Sequence, residues 1–387
     1  MKIGVYIHIP FCKSKCKYCD FASYPSQFKN REKYFEALKK EISLRSEKAK
    51  SILDDEENIE IDTIYIGGGT PSIVEPKYIE QVIECLKSEF DLSNCREFSI
   101  EMNPNTVTED KILSYKNMGV NRFSLGLQST NDDHLKAIGR CHKYSDFLNA
   151  INIIKKCGIE NINADLIYNL PDETLEDVIN DIDRLASLDI QHISFYSLTL
   201  MEETPLYNLY IEGKLNMPDE ELERDMYHKG IARLKEKGFY QYEISNFARS
   251  ERECKHNIIY WETKPYIGLG LAAHSYFDDR RWGNESEFDK YINLVEKNTL
   301  PEIKESIEHI GRDEKIFEYL MLNLRMTKGF ELDDYESRFG AELDDEHIKI
   351  FEKLIDEELI EKTRKGYKLS IKGMDLSNYV FEQLMDF

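Results

Sequence analysis

Along residues 1–196 short apolar runs alternate with longer stretches in which apolar residues recur every three to four positions. The runs at 3–9, 63–66, 97–100, 122–125, 163–167 and 192–197 have strand length. Between them Phe35, Leu38 and Ile42, and then Leu175, Val178, Ile179, Ile182 and Leu185, mark the buried faces of helices. Repeated strand-then-helix units predict a parallel sheet with right-handed crossovers. Six units suit an α/β fold, a partial (β/α)6 barrel with its chemistry at the carboxyl ends of the strands. The polar, acidic segment 46–60 is expected to be a loop inserted before the second strand.

Farther along, 219–237 predicts an amphipathic helix stopped by Gly238, and 240–248 a strand and turn. From about Asp289 the alternation ends. Residues 312–326 and 345–357 read as helices, 359–362 and 366–373 as a β-hairpin, and a last helix comes after them. The expected organisation is a barrel over 1–210, a barrel extension over 211–285 and a small C-terminal helical, winged-helix-like domain over 286–387. Such a domain often binds DNA, but here packing as a cover over the barrel opening is expected.

Composition changes this picture in one direction. The chain has 387 residues, 41% apolar and 32% charged, with a net charge of −22. A nucleic-acid partner would favour a basic stripe that neutralises phosphates, so RNA- and DNA-directed functions drop away. Permanent attachment to anionic lipid is disfavoured for the same reason. No apolar run approaches the roughly 18 residues of a membrane span. Eight cysteines without an export signal point to a reducing cytoplasm, with transient docking on a membrane protein left open. Cys85, Cys95, Cys141 and Cys157 are expected to be structural, since free Cys behaves as a small buried hydrophobe.

Three other thiols carry the strongest chemistry. Cys12, Cys16 and Cys19, spaced C-x3-C-x2-C, lie on a polar loop leaving the first strand. Thiolates select zinc, copper(I) or iron–sulfur clusters. A structural zinc would need a fourth ligand, and His8 on the preceding strand is poorly placed to supply it. A [4Fe–4S] cube held by three thiolates leaves one iron open. Next, Gly67-Gly68-Gly69-Thr70-Pro71 closes the second strand; alone it is a turn, but behind a strand it lets a ligand approach the backbone. Glu101 ends the third strand, where a carboxylate accepts from ribose hydroxyls or is simply solvated. Gln128 both donates and accepts. Arg140 offers a planar fork to a carboxylate. Asp165 stands in an apolar run and demands a partner, for which a structural ion pair is a serious alternative.

The cysteine spacing resembles the radical S-adenosylmethionine (SAM) superfamily, in which SAM chelates the open iron. Tyr6-Ile-His-Ile-Pro-Phe-Cys12, together with the glycine run, Arg140-x-His142 and Asp165-Leu-Ile-Tyr168, resembles its HemN/HemW branch. That branch holds oxygen-independent coproporphyrinogen III oxidases and haem chaperones. The resemblance implies a [4Fe–4S] cluster on the three cysteines. It implies SAM contacts at Tyr6, Tyr18, Gly68, Gly69, Thr70, Glu101, Gln128, Arg140 and Asp165. Asn169 stands where the branch would have Gly.

His256-Asn257-x-x-Tyr260-Trp261 resembles the motif to which haem ligation is assigned, with Cys254 as a candidate second ligand. Imidazole ligates haem iron and aromatic rings stack on a porphyrin face, although an isolated His is more often structural. The oxidases carry a fourth cysteine two residues on, where this chain has Phe21, and a substantial extension before the first cysteine, where this chain has eleven residues. The expectation is therefore a haem chaperone delivering haem to apo-proteins such as respiratory enzymes, some of them membrane-bound. The alternatives are a coproporphyrinogen III oxidase, which decarboxylates propionates by radical chemistry, and a radical haem-degrading enzyme. A monomer or a cluster-dependent dimer is expected.

Overall fold

The computed structural model describes residues 1–52 and 58–385. The first half alternates β1 (Lys2–Ile9), α1 (Arg31–Lys50), β2 (Glu60–Gly68), α2 (Pro76–Glu89), β3 (Glu97–Met102), α3 (Glu109–Met118) and β4 (Arg122–Gln128). It continues with α4 (Asp132–Ala137), α5 (Tyr144–Lys156), β5 (Ile162–Tyr168), α6 (Leu175–Ala186), β6 (His192–Ser197), α7 (Pro205–Ile211) and α8 (Glu220–Glu236). Then come β7 (Tyr240–Glu243), β8 (Asn246–Ala248), α9 (Lys255–Trp261), β9 (Tyr266–Leu269), β10 (His274–Phe277), β11 (Arg280–Gly283), α10 (Phe288–Glu296) and β12 (Glu308–His309). The last part holds α11 (Arg312–Leu324), β13 (Phe330–Glu331), α12 (Leu332–Phe339), α13 (Asp345–Asp356), β14 (Ile360–Lys362), β15 (Gly366–Leu369), α14 (Ile371–Asp375) and α15 (Ser377–Met385).

Strands β1 to β6 lie side by side in chain order, every neighbouring pair parallel. This is the expected partial (β/α)6 barrel, and its helices cover the outer face with the predicted residues: Phe35, Leu38 and Ile42 of α1, and Val178, Ile182 and Leu185 of α6, are buried. Beyond what periodicity showed, both edges are extended. β9 adds parallel to β1 and leads into antiparallel β10, β11 and β12, while β8 adds antiparallel to β6 and β7 antiparallel to β8. β7 and β8 fall in the strand and turn expected over 240–248, whereas β9 to β12, of four residues or fewer, are too short for a period-2 signal to stand out from the surrounding chain.

Three sequence expectations are corrected. Residues 46–50 complete α1, with Ser46 and Ala49 buried, and β2 begins at Glu60; the expected insertion shrinks to 51–59, of which 53–57 lie outside the described residues. A high fraction of charged residues disguised a helix whose inner face is still closed. The boundary at 286 is too early: Phe288, Tyr291, Ile292 and Val295 of α10 join the barrel core, and a separate core runs from Ile316 to Leu384. Residues 371–373 start α14 and do not extend the hairpin. The order helix, strand, two helices, hairpin, with β13 on β15 and β15 on β14, is the expected winged-helix arrangement.

That C-terminal domain is not a cover over the barrel opening. Arg338 donates to the Glu262 and Thr263 carbonyls at 2.9 and 2.7 Å, and Lys328 pairs with Glu262 at 2.8 Å. Arg325 lies over the Trp261 ring, 4.8 Å from its centroid. These contacts are to α9 and the turn after it, at the amino-terminal end of the strands, opposite the cysteine loop.

Candidate functional site

At the carboxyl ends of β1 to β6 a cavity of about 650 Å³ opens, walled by the loops that the six strands feed. Cys12, Cys16 and Cys19 stand half-buried on its wall. Their loop is fixed at both ends. Phe11 packs edge-on against Tyr34 at 5.5 Å, the Lys17 amide donates to Ile138 O at 3.0 Å, and Lys17 O accepts from the Leu206 amide at 2.9 Å. Burial pushes the Cys12 and Cys19 thiols up, opposed at Cys12 by the hydroxyls of Thr70 and Ser23. Among the described residues no three His, Cys, Asp or Glu side chains close on a single-ion site, and the three thiols line one cavity as electrostatic neighbours of one another.

The glycine run forms the facing side. Gly68 has φ +113°, a backbone that L side chains rarely adopt, and a Cβ there would lie 2.6 Å from the His8 ring. At Gly69 a Cβ would come 2.7 Å from Phe11 O and 3.0 Å from Cys12 Sγ. So neither glycine tolerates a side chain: the space a Cβ would take is filled by β1 and by the start of the cysteine loop. Thr70 completes it, its Oγ1 3.5 Å from Cys12 Sγ.

Glu101 stands behind the cradle. Its carboxyl accepts from Tyr65 Oη at 2.8 Å and from the Gly68 amide at 3.1 Å. Burial, with the charge of Asp165 next, raises its pKa to about 7. Asp165 accepts from Asn163 Nδ2 at 2.7 Å, and burial raises it also. Two carboxyls sharing one buried wall resist joint ionisation. Gln128 is held in the left-handed region at φ +79°, beside the register shift between β4 and β5, with Tyr196 Oη 3.4 Å from its Oε1. An L-residue in that region is a strained element of the kind that clusters at ligand sites. Arg140 donates from Nη2 to Gly126 O at 2.6 Å and from Nη1 toward Cys16 Sγ at 3.6 Å; its Nε is buried without a partner. Tyr18 lines the same cavity. Asn169, in place of the expected Gly, adopts φ +65°, so the loop keeps a glycine-like backbone.

Two expected cofactor residues are not brought to the cavity wall. Tyr6 is turned toward His8, its hydroxyl 3.0 Å from Nδ1, while His8 Nε2 reaches Ala22 O at 2.8 Å. His256 is 1% exposed and lies on α9, which plugs the other end of the barrel. Its Nδ1 is 2.7 Å from Thr63 Oγ1, its Nε2 2.7 Å from Tyr260 Oη, and its ring stacks on Tyr65 at 5.4 Å. Burial and the Arg122 charge lower its pKa to about 3. An iron ligand needs a free ring nitrogen, and both are taken. Cys254 is fully buried against Glu97, where burial pushes its thiol up to about 12. From this motif Asn257 alone lines the cavity.

Sequence reasoning missed the wall contributed by β6 and the segment after it, namely Ser194, Tyr196, Thr199 and Met201, and the share of Asn246 from β8. Ser194 and Tyr196 alternate along the strand predicted at 192–197, which was the available signal. Cys141 also departs from expectation: it is exposed, on the cavity wall next to Arg140, and not a packed hydrophobe.

The donor set fits the cofactors that the sequence suggested. Three thiols on one loop, a cradle with no room for a Cβ, and an unpaired buried Arg140 Nε face a common space. Residues 6–185 match the model of the radical SAM superfamily and 310–376 that of the HemN C-terminal domain. The structure of coproporphyrinogen III oxidase HemN from Escherichia coli superposes with a TM-score of 0.83 at 22% identity, over 99% of this chain and 90% of that one, which establishes a common fold. The heme chaperone HemW of Lactococcus lactis subsp. lactis (strain IL1403) is 33% identical over 383 residues, 99% of this chain and 97% of the relative. The heme chaperone HemW of Bacillus subtilis (strain 168) is 35% identical over 382 residues, 98% of each. Identity at that level, sustained through barrel and C-terminal domain alike, makes this chain a member of the HemW family within the radical SAM superfamily.

Proposed function

We propose that this chain is a haem chaperone, holding haem and handing it to apo-proteins, membrane-bound respiratory enzymes among them. The observation that carries this reading is the similarity, over nearly the whole of both chains, to relatives named heme chaperones. Phe21 at the place of the oxidases' fourth cysteine supports it. Among the described residues no helix is long and apolar enough to cross a membrane, so a membrane-bound recipient would be met by docking.

Membership of the superfamily implies a [4Fe–4S] cluster and SAM. When bound, they supply an electron-transfer centre with SAM at its open iron. Cys12, Cys16 and Cys19 would hold three irons. Gly68, Gly69 and Thr70 would give SAM a backbone edge, Glu101 would accept from its ribose hydroxyls, and Arg140 would meet a carboxylate. Gln128 and Asp165 would fix the remaining polar groups from the opposite wall.

The deciding experiment treats cluster-reconstituted protein anaerobically with SAM, a reductant and coproporphyrinogen III, an authentic oxidase run alongside. A parallel assay offers the haem-loaded protein to an apo-cytochrome. Haem transfer without vinyl product is the expected result. Catalytic formation of protoporphyrinogen would overturn the chaperone reading.

A further inference from the structure

A haem cargo is a broad apolar disc with two carboxylates on one edge, so its site must combine exposed apolar surface, nearby cations and open access. The α9 plug has cations beside it but lacks the other two: His256 and Cys254 are 1% and 0% exposed, and their polar atoms are committed. The cavity mouth offers all three. Phe21 is 63% exposed and Met201 40% exposed, one from the cysteine loop and one from the segment after β6, and both line the same opening. Leaving large apolar side chains in water at the rim of a cavity is unfavourable unless something covers them.

Charge selects the occupant. The protein as a whole carries −22, yet the stretch from Cys12 to Phe21 holds Lys13, Lys15 and Lys17 against Asp20 alone. Lys13 and Lys15 are exposed and, among the described residues, neither enters an ion pair, whereas lysines elsewhere on the surface pair repeatedly. Lys15 Nζ donates to Phe21 O at 3.1 Å, which sets a cation at the base of the aromatic side chain.

We infer that the rim made by Phe21, Met201, Lys13 and Lys15 is where the haem cargo docks, its face on Phe21 and Met201 and its propionates toward the lysines. This rests on the chaperone reading above. The Phe21 ring supplies a stacking face and Met201 a polarisable thioether that adapts to a flat ligand. The lysines contribute charge-assisted hydrogen bonds to the carboxylates. The disc would then lie across the mouth of the cavity, outside the space that the cluster loop, the glycine cradle and Glu101 enclose.

The test titrates haem into the full-length, cluster-reconstituted protein and monitors the Soret band, with iron and sulfide measured in every variant. Phe21→Ala with Met201→Ala is expected to weaken binding roughly tenfold or more, the loss of one aromatic face and one packed side chain. Lys13→Gln with Lys15→Gln is expected to weaken it similarly and to remove most of its salt dependence. Should a substitution on the cysteine loop also lower iron content, Met201→Ala, on a different segment, carries the test. If wild type binds haem and the variants bind it equally well, the rim is not the site, while the carrier reading stands. If wild type binds no haem, the carrier reading itself falls, and this inference with it.

Discussion

Glu101 shows how one residue couples the fold to the ligand. It is enclosed by Tyr65, the Gly68 amide and the nearby Asp165 and Arg122 charges, and it holds its proton up to about pH 7. An unfolded glutamate ionises near 4.5, so between 4.5 and 7 the folded state binds more protons than the unfolded one. Rising pH therefore destabilises the empty protein across that window, and the cost is complete above 7. SAM carries a positive sulfonium, and its hydroxyls are donors that an ionised carboxylate accepts well. Binding is expected to tighten from about pH 6 to about pH 8, with Glu101→Gln flattening the profile, as isothermal titration calorimetry would read it. An unchanged slope in the variant would move the titrating group to Asp165.

Among the elements, α9 is the instructive case. It is seven residues long and sits in the barrel floor although it is far in sequence from the strands it closes. Glu97, at the start of β3, holds it there by accepting from the Lys255 and His256 amides at 3.0 and 3.2 Å. A carboxylate at a helix amino terminus satisfies donors that would otherwise be orphaned. Removing the His256 ring strands the Thr63 hydroxyl and the Tyr260 hydroxyl and opens a void between them. His256→Ala is expected to lower stability by about 3 kcal/mol in a denaturant titration, while haem binding by the folded fraction is retained. Loss of the haem spectrum at full stability would restore the ligand role that the motif suggested. The motif itself was plain in the sequence, but a pattern of residue types does not say which of its members faces a cavity. Burial decided that His256 turns inward and Asn257 toward the cavity.

In the molecule taken entire, the C-terminal domain braces the plug from outside. Its own core, from Ile316 to Leu384, makes it a separate unit, and Arg325 on Trp261 with Arg338 on the turn after α9 join it to the barrel. No residue beyond Asn257 lines the cavity among the described residues. Arg325→Ala is accordingly expected to cost about 1 kcal/mol in a thermal or denaturant melt and to leave SAM affinity within about twofold. A large loss of SAM affinity would show that the domain acts on the cavity through α9.

The barrel was legible in the residue pattern, since six apolar strands joined by amphipathic helices have one favourable way to bury both faces of a sheet. So were the cluster loop, the glycine cradle and the strand-end residues Glu101, Gln128 and Asp165, because parallel strands bring their carboxyl ends together whatever the details of packing. Packing between distant segments left no such trace, and the folded chain had to be seen. There short β9 to β12 lie beside β1, α10 belongs to the barrel core, and the winged-helix domain packs on α9 and on α8 without lining the mouth. There too both nitrogens of His256 are closed, and Phe21 and Met201 are left in solvent. Periodicity reports which residues prefer to be buried; only the assembled chain settles what buries them.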